Sequence, residues 1–154
     1  MDTRDKLLEI VGTGNFSDDP NVLKKYAADF SFTPPGAPSY LVKPRDAQEV
    51  QKIIKFANEH SIPIVPVSSD VHFNGATIPK QGGIVLDLTR MKKVLEIDEA
   101  NRRVRIEAGV MWEQLTEELA KKGMRMIMPL LPPSNRSVLT DYLEREVPTN
   151  TVYD

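Results

Sequence analysis

Pro63-Ile64-Val65-Pro66-Val67-Ser68-Ser69-Asp70-Val71-His72-Phe73-Asn74-Gly75-Ala76-Thr77-Ile78-Pro79-Lys80-Gln81-Gly82-Gly83-Ile84-Val85-Leu86-Asp87-Leu88 is the stretch whose reading decides the fold. Two short β-branched runs, Ile64 to Val67 and Ile84 to Leu88, bound a long polar loop. The runs read as two buried strands that hold the loop at one edge of a sheet, where α/β proteins place ligands. The loop is therefore the expected site.

Upstream, Tyr40 to Lys43 predicts a short strand stopped at Pro44, and Asp46 opens the strongest helix of the chain. Asp46 and Glu49 have the spacing of a capping box, and Val50, Ile53, Ile54 and Ala57 form one apolar stripe. Strand, helix and strand with short connections predict a crossover unit with parallel strands. Downstream, Val94 to Ile97 and Arg102 to Ala108 alternate and are joined by Asp98-Glu99-Ala100-Asn101, which reads as a hairpin. After Gly109, Trp112 to Lys122 predicts an amphipathic helix through Leu115, Leu119 and Ala120, closed by Gly123. Trp112 reads as a core residue. Met124 to Met128 predicts a further short strand, Pro129 to Ser134 a rigid loop, and Val138 to Glu146 a last turn or two of helix. Nothing after Tyr142 is expected to bury much.

At the other end, Asp2 to Val11 reads as a short helix stopped by Gly12, Gly12 to Pro20 as loop, and Asn21 to Phe30 as a second helix. Three prolines and a glycine make Thr33 to Pro38 an irregular connector, with Tyr26 and Asp29 as candidates to anchor it. The order suits an α+β domain, a small parallel βαβ sheet packed beside a small antiparallel one. Three segments follow: residues 1–37, helices and connector; 38–128, the α+β core; 129–154, a closing segment.

A chain of 154 residues accommodates one domain with a real core. With 27% charged residues and a net charge of -2 there is no field suited to nucleic acid. Arg102, Arg103 and Arg105, and Lys121, Lys122 and Arg125, read as solvated faces among interleaved acids. The absence of cysteine removes disulfides, thiolate nucleophiles and cysteine-based metal sites. The charged start lacks the apolar run of a signal peptide, and no stretch reaches the length of a membrane span, so a soluble, cytoplasmic protein is expected. His60 and His72 are the only histidines and no metal-ligand spacing surrounds them. No Ser/His/Asp set and no carboxylate pair stands out, so no catalytic residue is assigned.

Taken in order, several pieces form a wider pattern. These are Tyr40-Leu41-Val42-Lys43-Pro44-Arg45, the helix with Glu49-Val50, Ile62-Pro63-Ile64-Val65-Pro66 and Gly82-Gly83-Ile84-Val85-Leu86-Asp87-Leu88. Val94-Leu95-Glu96-Ile97-Asp98 and Glu107-Ala108-Gly109-Val110 complete it. From Pro38 to Gly123 this pattern resembles the FAD-binding domain of the vanillyl-alcohol oxidase and p-cresol methylhydroxylase family, which includes flavin-dependent D-lactate dehydrogenases and glycolate oxidases. Ser137-Val138-Leu139 and Glu144-Arg145 resemble that family's second flavin-contacting segment, of which the chain would hold only the beginning.

The resemblance implies an FAD-binding portion of a flavin oxidoreductase, with the 2-hydroxy-acid dehydrogenase branch as a candidate. Substrate-handling residues would lie in a domain absent here, so no turnover is expected from this chain alone. By position, the implied cofactor-binding residues are Pro66, Val67, Ser68, Ser69, Asp70, Val71, His72, Asn74 and Gly75, with Gly109, Val110, Pro132, Ser137 and Val138 in addition. His72 is one residue beyond the position, here Val71, at which some family members attach FAD covalently, so a covalent link is not expected.

The loop departs from the family, whose corresponding loop is rich in glycine. Glycine lets backbone N–H groups turn inward around a diphosphate. Here Ser68, Ser69 and Asp70 occupy those positions and only Gly75 remains; in the tail Thr140, Asp141, Glu146 and Pro148 replace small residues. Serine hydroxyls can themselves bind phosphate. A carboxylate about 5 Å from a phosphate would cost roughly 3 kcal/mol at an effective dielectric near 20, so Asp70→Gly is expected to strengthen binding. The departures keep a second reading open: a scaffold or subunit that retains the fold without flavin and offers its surface to a protein partner or to a second copy. A module for a smaller nucleotide is a third.

Overall fold

The computed structural model describes residues 2–126 and 136–145. In chain order the elements are α1 (Thr3–Val11), β1 (Phe16–Ser17), α2 (Pro20–Leu23), β2 (Tyr40–Val42), α3 (Ala47–Glu59), β3 (Ile64–Val67), β4 (Ile84–Asp87), β5 (Val94–Asp98), β6 (Arg103–Ile106), α4 (Trp112–Ala120) and α5 (Val138–Arg145). Strands β1-β2-β4-β3 form one sheet and β5-β6 a separate antiparallel pair. Within the larger sheet β1 is antiparallel to β2, while β2 and β3 both run parallel to β4. This is the expected class, a parallel sheet beside a small antiparallel one.

The crossover unit has its expected parallel strands, with another strand seated between them. β2 and β3, joined through α3, are parallel but not neighbours, because β4 inserts between them. All four residues of β4 are buried, as a central strand requires, whereas β3 is an edge strand with Pro66 exposed. Proline has no N–H to donate and is tolerated at such an edge. Only one of the two runs is thus a fully buried strand.

Asp46 caps α3, its Oδ1 accepting from the Glu49 N–H at 2.9 Å. Glu49 reaches back to the Arg45 N–H at 2.9 Å, one residue further than in the usual reciprocal box. On the inner face are Ile53, Phe56 and Ala57; Ile54, expected in the stripe, is 48% exposed and Phe56 takes its place. These residues pack with Leu7 and Val11 of α1 against Val42, Ile84 and Leu86. A second core joins Val110, Trp112, Leu115, Leu119 and Val138 beneath the β5-β6 hairpin.

Other differences are local. A two-residue strand, β1, forms inside the expected loop before Pro20. The second helix is shorter than its pattern: α2 gives way to a 3-10 turn at Lys24–Tyr26 and no helix continues to Phe30. Met124 to Met126 forms no strand; Ile127, Met128, Pro129 to Ser134 and Glu146 lie outside the described residues.

The turn at Lys24–Tyr26 is tied to the sheet by a buried carboxylate at the C-terminal end of β4. Tyr26 donates its hydroxyl to Asp87 Oδ2 at 2.8 Å, Lys43 Nζ lies 3.0 Å from the same oxygen, and Thr89 donates both its N–H and its hydroxyl to Oδ1. Burial alone would raise the Asp87 pKa, but the bonds from Thr89, Tyr26 and Lys43 outweigh it and hold the carboxyl below the usual range. A depressed folded pKa means that the unfolded chain binds the proton more tightly. The stabilisation is therefore complete above the unfolded value, about pH 4, and is lost as pH falls through the folded value. Asp87→Asn should cost about 2–4 kcal/mol at neutral pH and flatten the acid limb of the stability curve, measured by urea unfolding across pH. An unchanged acid limb would remove Asp87 from this role.

Candidate functional site

Three segments meet at the C-terminal edge of the sheet: the loop after β3, residues 109–112, and Arg136 with α5. The Val138 N–H donates to the Val110 carbonyl at 3.0 Å, the Trp112 N–H to the Arg136 carbonyl at 3.1 Å, and Met111 and Ser137 form an antiparallel bridge. Gly109 lets the chain pass close against the end of β4, since a Cβ there would lie 2.5 Å from the Leu88 carbonyl oxygen. Ser137 caps α5, its Oγ accepting from the Thr140 N–H at 3.0 Å.

A cluster of buried hydroxyls joins the loop to α5. Ser68 Oγ lies 2.7 Å from both Ser137 Oγ and Thr140 Oγ1, and Ser69 Oγ donates to Thr140 Oγ1 at 3.1 Å. The serines expected to assist with phosphate thus spend their hydroxyls on Ser137 and Thr140.

Charged groups form a second link. His72, buried rather than exposed, sets Nε2 2.7 Å from the Ser69 carbonyl oxygen and Nδ1 3.0 Å from Glu144 Oε1. Glu144 also pairs with Arg136, which is fully buried and lies 2.8 Å from Asp141 Oδ1. The Arg136 guanidinium stacks over the Phe73 ring, 4.9 Å from its centroid. These contacts overturn the expectation that nothing after Tyr142 buries much: the Glu144 side chain is only 7% exposed.

From the opposite side, Asp29 accepts from the N–H groups of Ser31 and Gly75, both at 2.8 Å, so it anchors the connector and the loop together. Burial would raise its pKa, but the bonds from Ser31 and Gly75 win and lower it. Gly75 has φ +76, and the position of its missing Cβ is filled by Thr33 Oγ1, so the loop turns here only because this residue is glycine.

Two cavities flank the loop. One of about 210 Å³ is lined by Pro66, Val67, Ser68, His72 and Asn74 from the predicted set. Ala76, Thr77 and Leu88, with Leu139, Thr140, Leu143 and Glu144 of α5, complete its wall, and it is largely apolar. The other, about 400 Å³, faces Lys25, Tyr26 and Asp29, and Ser69 and the exposed Asp70 line this side. Asp70 is thus turned away from the apolar cavity. Val71 is half-buried and lines neither. Gly109, Val110, Ser137 and Val138 form the brace behind the site, with Val110 and Val138 in the core; Pro132 lies outside the described residues. A larger cavity of about 510 Å³, at Arg102, Arg103, Met124 and Arg125, is remote from the loop.

Among the described residues, none accepts a hydrogen bond from the backbone N–H of Ser69, Asp70, Val71 or His72. These four consecutive donors, with Asp70 exposed and Val71 half-buried, are open to a ligand's oxygens. Such a row suits the oxygens of a diphosphate. An apolar cavity beside it suits an aromatic ring. The residues present fit a dinucleotide cofactor.

Fold and site together define a nucleotide-cofactor domain. A family model described as FAD binding domain matches residues 38–134, well over half of the chain, and the chain belongs to that family. It is 31% identical over 123 residues to the glycolate oxidase subunit GlcD of Bacillus subtilis, covering 80% of this chain and 26% of that protein. It is 35% identical over 101 residues to the mitochondrial cytochrome-dependent D-lactate dehydrogenase of Arabidopsis thaliana, covering 66% and 18%. The crystal structure of p-cresol methylhydroxylase superposes with a TM-score of 0.78 at 26% identity, covering 92% of this chain and 28% of that one. The chain spans about a quarter or less of the length of these curated relatives. It is an FAD-binding domain of the vanillyl-alcohol oxidase type, as the order of its motifs implied.

Sequence reasoning missed Arg136 and Leu143, and named Leu139 and Glu144 only through the resemblance to a flavin-contacting segment. Leu139 and Leu143 stand four apart on α5, a helical spacing that marks one face. Thr140→Val keeps the shape but removes the hydroxyl shared by Ser68, Ser69 and Ser137. It should cost about 1–3 kcal/mol and speed amide hydrogen exchange in the loop, while Thr140→Ser stays within about 1 kcal/mol of the parent. Equal stability of all three proteins would contradict the hydroxyl cluster.

Proposed function

We propose that this domain holds FAD by the row of N–H groups from Ser69 to His72, with Pro66, Val67, Ser68, His72 and Asn74 beside the cofactor and Gly75 shaping the loop. Gly109, Val110, Ser137 and Val138 act as its brace. The unpaired donor row is the observation that carries this reading. Residues 38–128 form the cofactor core, residues 1–37 buttress it, and residues 129–154 begin the second flavin-contacting segment.

The oxidoreductase we assign to it acts on 2-hydroxy acids. Similarity to a glycolate oxidase subunit and to a D-lactate dehydrogenase supports that branch. Bound flavin supplies hydride-accepting chemistry; the residues of this chain bind and orient it and exclude water from one wall. Turnover requires substrate-handling groups from another domain or subunit. Exposed Phe30, Phe32 and Leu143 suit such a partner or a second copy. No helix among the described residues is long and apolar enough to cross a membrane. The lack of cysteine supports a reducing compartment, and we assign the chain to the cytoplasm.

The test is a titration of the purified chain with FAD, followed by flavin fluorescence and heat. Binding is expected below about 100 μM, equivalent to roughly 5.5 kcal/mol. No signal at that concentration would favour the flavin-free scaffold. Because Asp70 is exposed and screened, Asp70→Asn should tighten FAD by no more than about fivefold. A gain of two orders of magnitude would mean that the carboxylate faces the phosphates.

A further inference from the structure

Two basic groups that are separate in the sequence, Arg102-Arg103 with Arg105 and Lys121-Lys122 with Arg125, come together at the cavity of about 510 Å³ beside the β5-β6 turn. Part of this charge is matched. Lys121 pairs with Glu118 at 2.7 Å, Lys122 with Glu99 at 2.9 Å, and Arg105 lies 3.8 Å from Glu96. Arg102, Arg103 and Arg125 all line the cavity, and among the described residues none of the three has a carboxylate partner. Glu99, the acid in the wall, is taken by Lys122.

Two turns deliver these arginines. Gly123, at φ +66, reverses the chain after α4, and the Met124 N–H donates back to the Leu119 carbonyl at 3.0 Å, so that Arg125 follows at the cavity. In the hairpin, Asp98 Oδ1 accepts from the Asn101 N–H at 3.0 Å, and Arg102 then takes φ +52. That conformation is one that glycine or asparagine ordinarily supplies. An arginine held there without an ion pair marks a side chain whose use lies outside the fold.

The floor beneath the arginines is apolar. Leu119 is buried, and Val104, Met124 and Met126 are half-buried against the same core. A guanidinium presents a planar fork of donors that matches a carboxylate, and methionine side chains adapt to irregular apolar shapes. A bare inorganic anion would use the rim and leave the floor wet. The volume lies in the range of small-molecule sites.

We propose that this cavity is a second ligand site, remote from the loop after β3, for an organic carboxylate that carries an apolar chain or ring. The carboxylate lies among Arg102, Arg103 and Arg125, and the apolar body covers Val104, Leu119 and the two methionines. A nucleotide places polar ribose next to its phosphates and does not suit such a floor. The site stands independently of the cofactor reading.

The test is NMR of the labelled full chain, following the arginine Nε–H and methionine methyl signals, with octanoate as the probe. Acetate serves as the carboxylate without the chain, 1-octanol as the chain without the charge, and ADP as an unrelated anion. Octanoate should shift the Arg102, Arg103 and Arg125 signals and the Met124 and Met126 methyls saturably. It should bind at least about tenfold more tightly than acetate, since burial of two methylenes already accounts for that factor. 1-Octanol should bind at least about tenfold more weakly than octanoate, and ADP should leave these signals still. Arg125→Gln should weaken octanoate about tenfold, the effect of one charge-assisted hydrogen bond. Arg102→Gly should weaken it similarly without lowering the melting temperature, because glycine accepts the positive φ. Equal affinity for octanoate and acetate would reduce the cavity to a plain anion contact and overturn the proposal. So would a response to octanoate confined to the Ser69–His72 amides, or unchanged affinity in both variants.

Discussion

A loop at the edge of a sheet has no ladder to satisfy its backbone, so each buried carbonyl must find a donor elsewhere or cost free energy. The loop after β3 meets this constraint with side chains. The Ser69 carbonyl accepts from His72, the Gly75 N–H donates to Asp29, and the Ser68 and Ser69 hydroxyls close on Ser137 and Thr140. The partners come from the loop itself, from the connector and from the α5 segment, so the loop's shape depends on all three. The N–H groups left over point to function because so many other polar groups have been satisfied.

The same economy explains how a glycine-poor loop can belong to an FAD-binding family. Glycine makes an anion nest available by permitting positive φ. Here the only positive φ described between Ser68 and Thr77 is at Gly75, and the remaining conformation is imposed by bonds to neighbours rather than by backbone freedom. Such a loop is ordered before the ligand arrives, which lowers the entropy cost of binding. The same contacts tie the loop's conformation to α5, through Thr140 and through the bond from His72 to Glu144.

Much of the fold was legible in the sequence because its signals are local. The apolar run Ile84 to Leu86 marks a strand buried on both faces, and Asp46 with Glu49 marks a helix start. Strand order was harder: Pro66 shows that β3 suits an edge, but nothing local says that β4 slides in beside β2. Ile54 and Phe56 lie on nearly opposite faces of α3, and the helix turns the face with Ile53, Phe56 and Ala57 toward Leu7 and Val11, leaving Ile54 outside. The site divides in the same way. The loop could be located from its flanking strands, whereas nothing local marks Arg136, and Glu144 entered only through the resemblance of Glu144-Arg145 to a flavin-contacting segment. Their burial depends on meeting His72, some seventy positions away in the chain. Asp70 illustrates the converse: its identity suggested repulsion, and only its orientation shows that it lies on the far side of the loop.

The central claim is that the Ser69–His72 amides receive the diphosphate of FAD. Amide NMR of the labelled chain during addition of FAD, with ADP as a second diphosphate ligand, tests it most directly. The account predicts that the Ser69, Asp70, Val71 and His72 amide resonances shift with both ligands while those of the β5-β6 hairpin tip remain still. Saturable binding that leaves these four amides unmoved would contradict it.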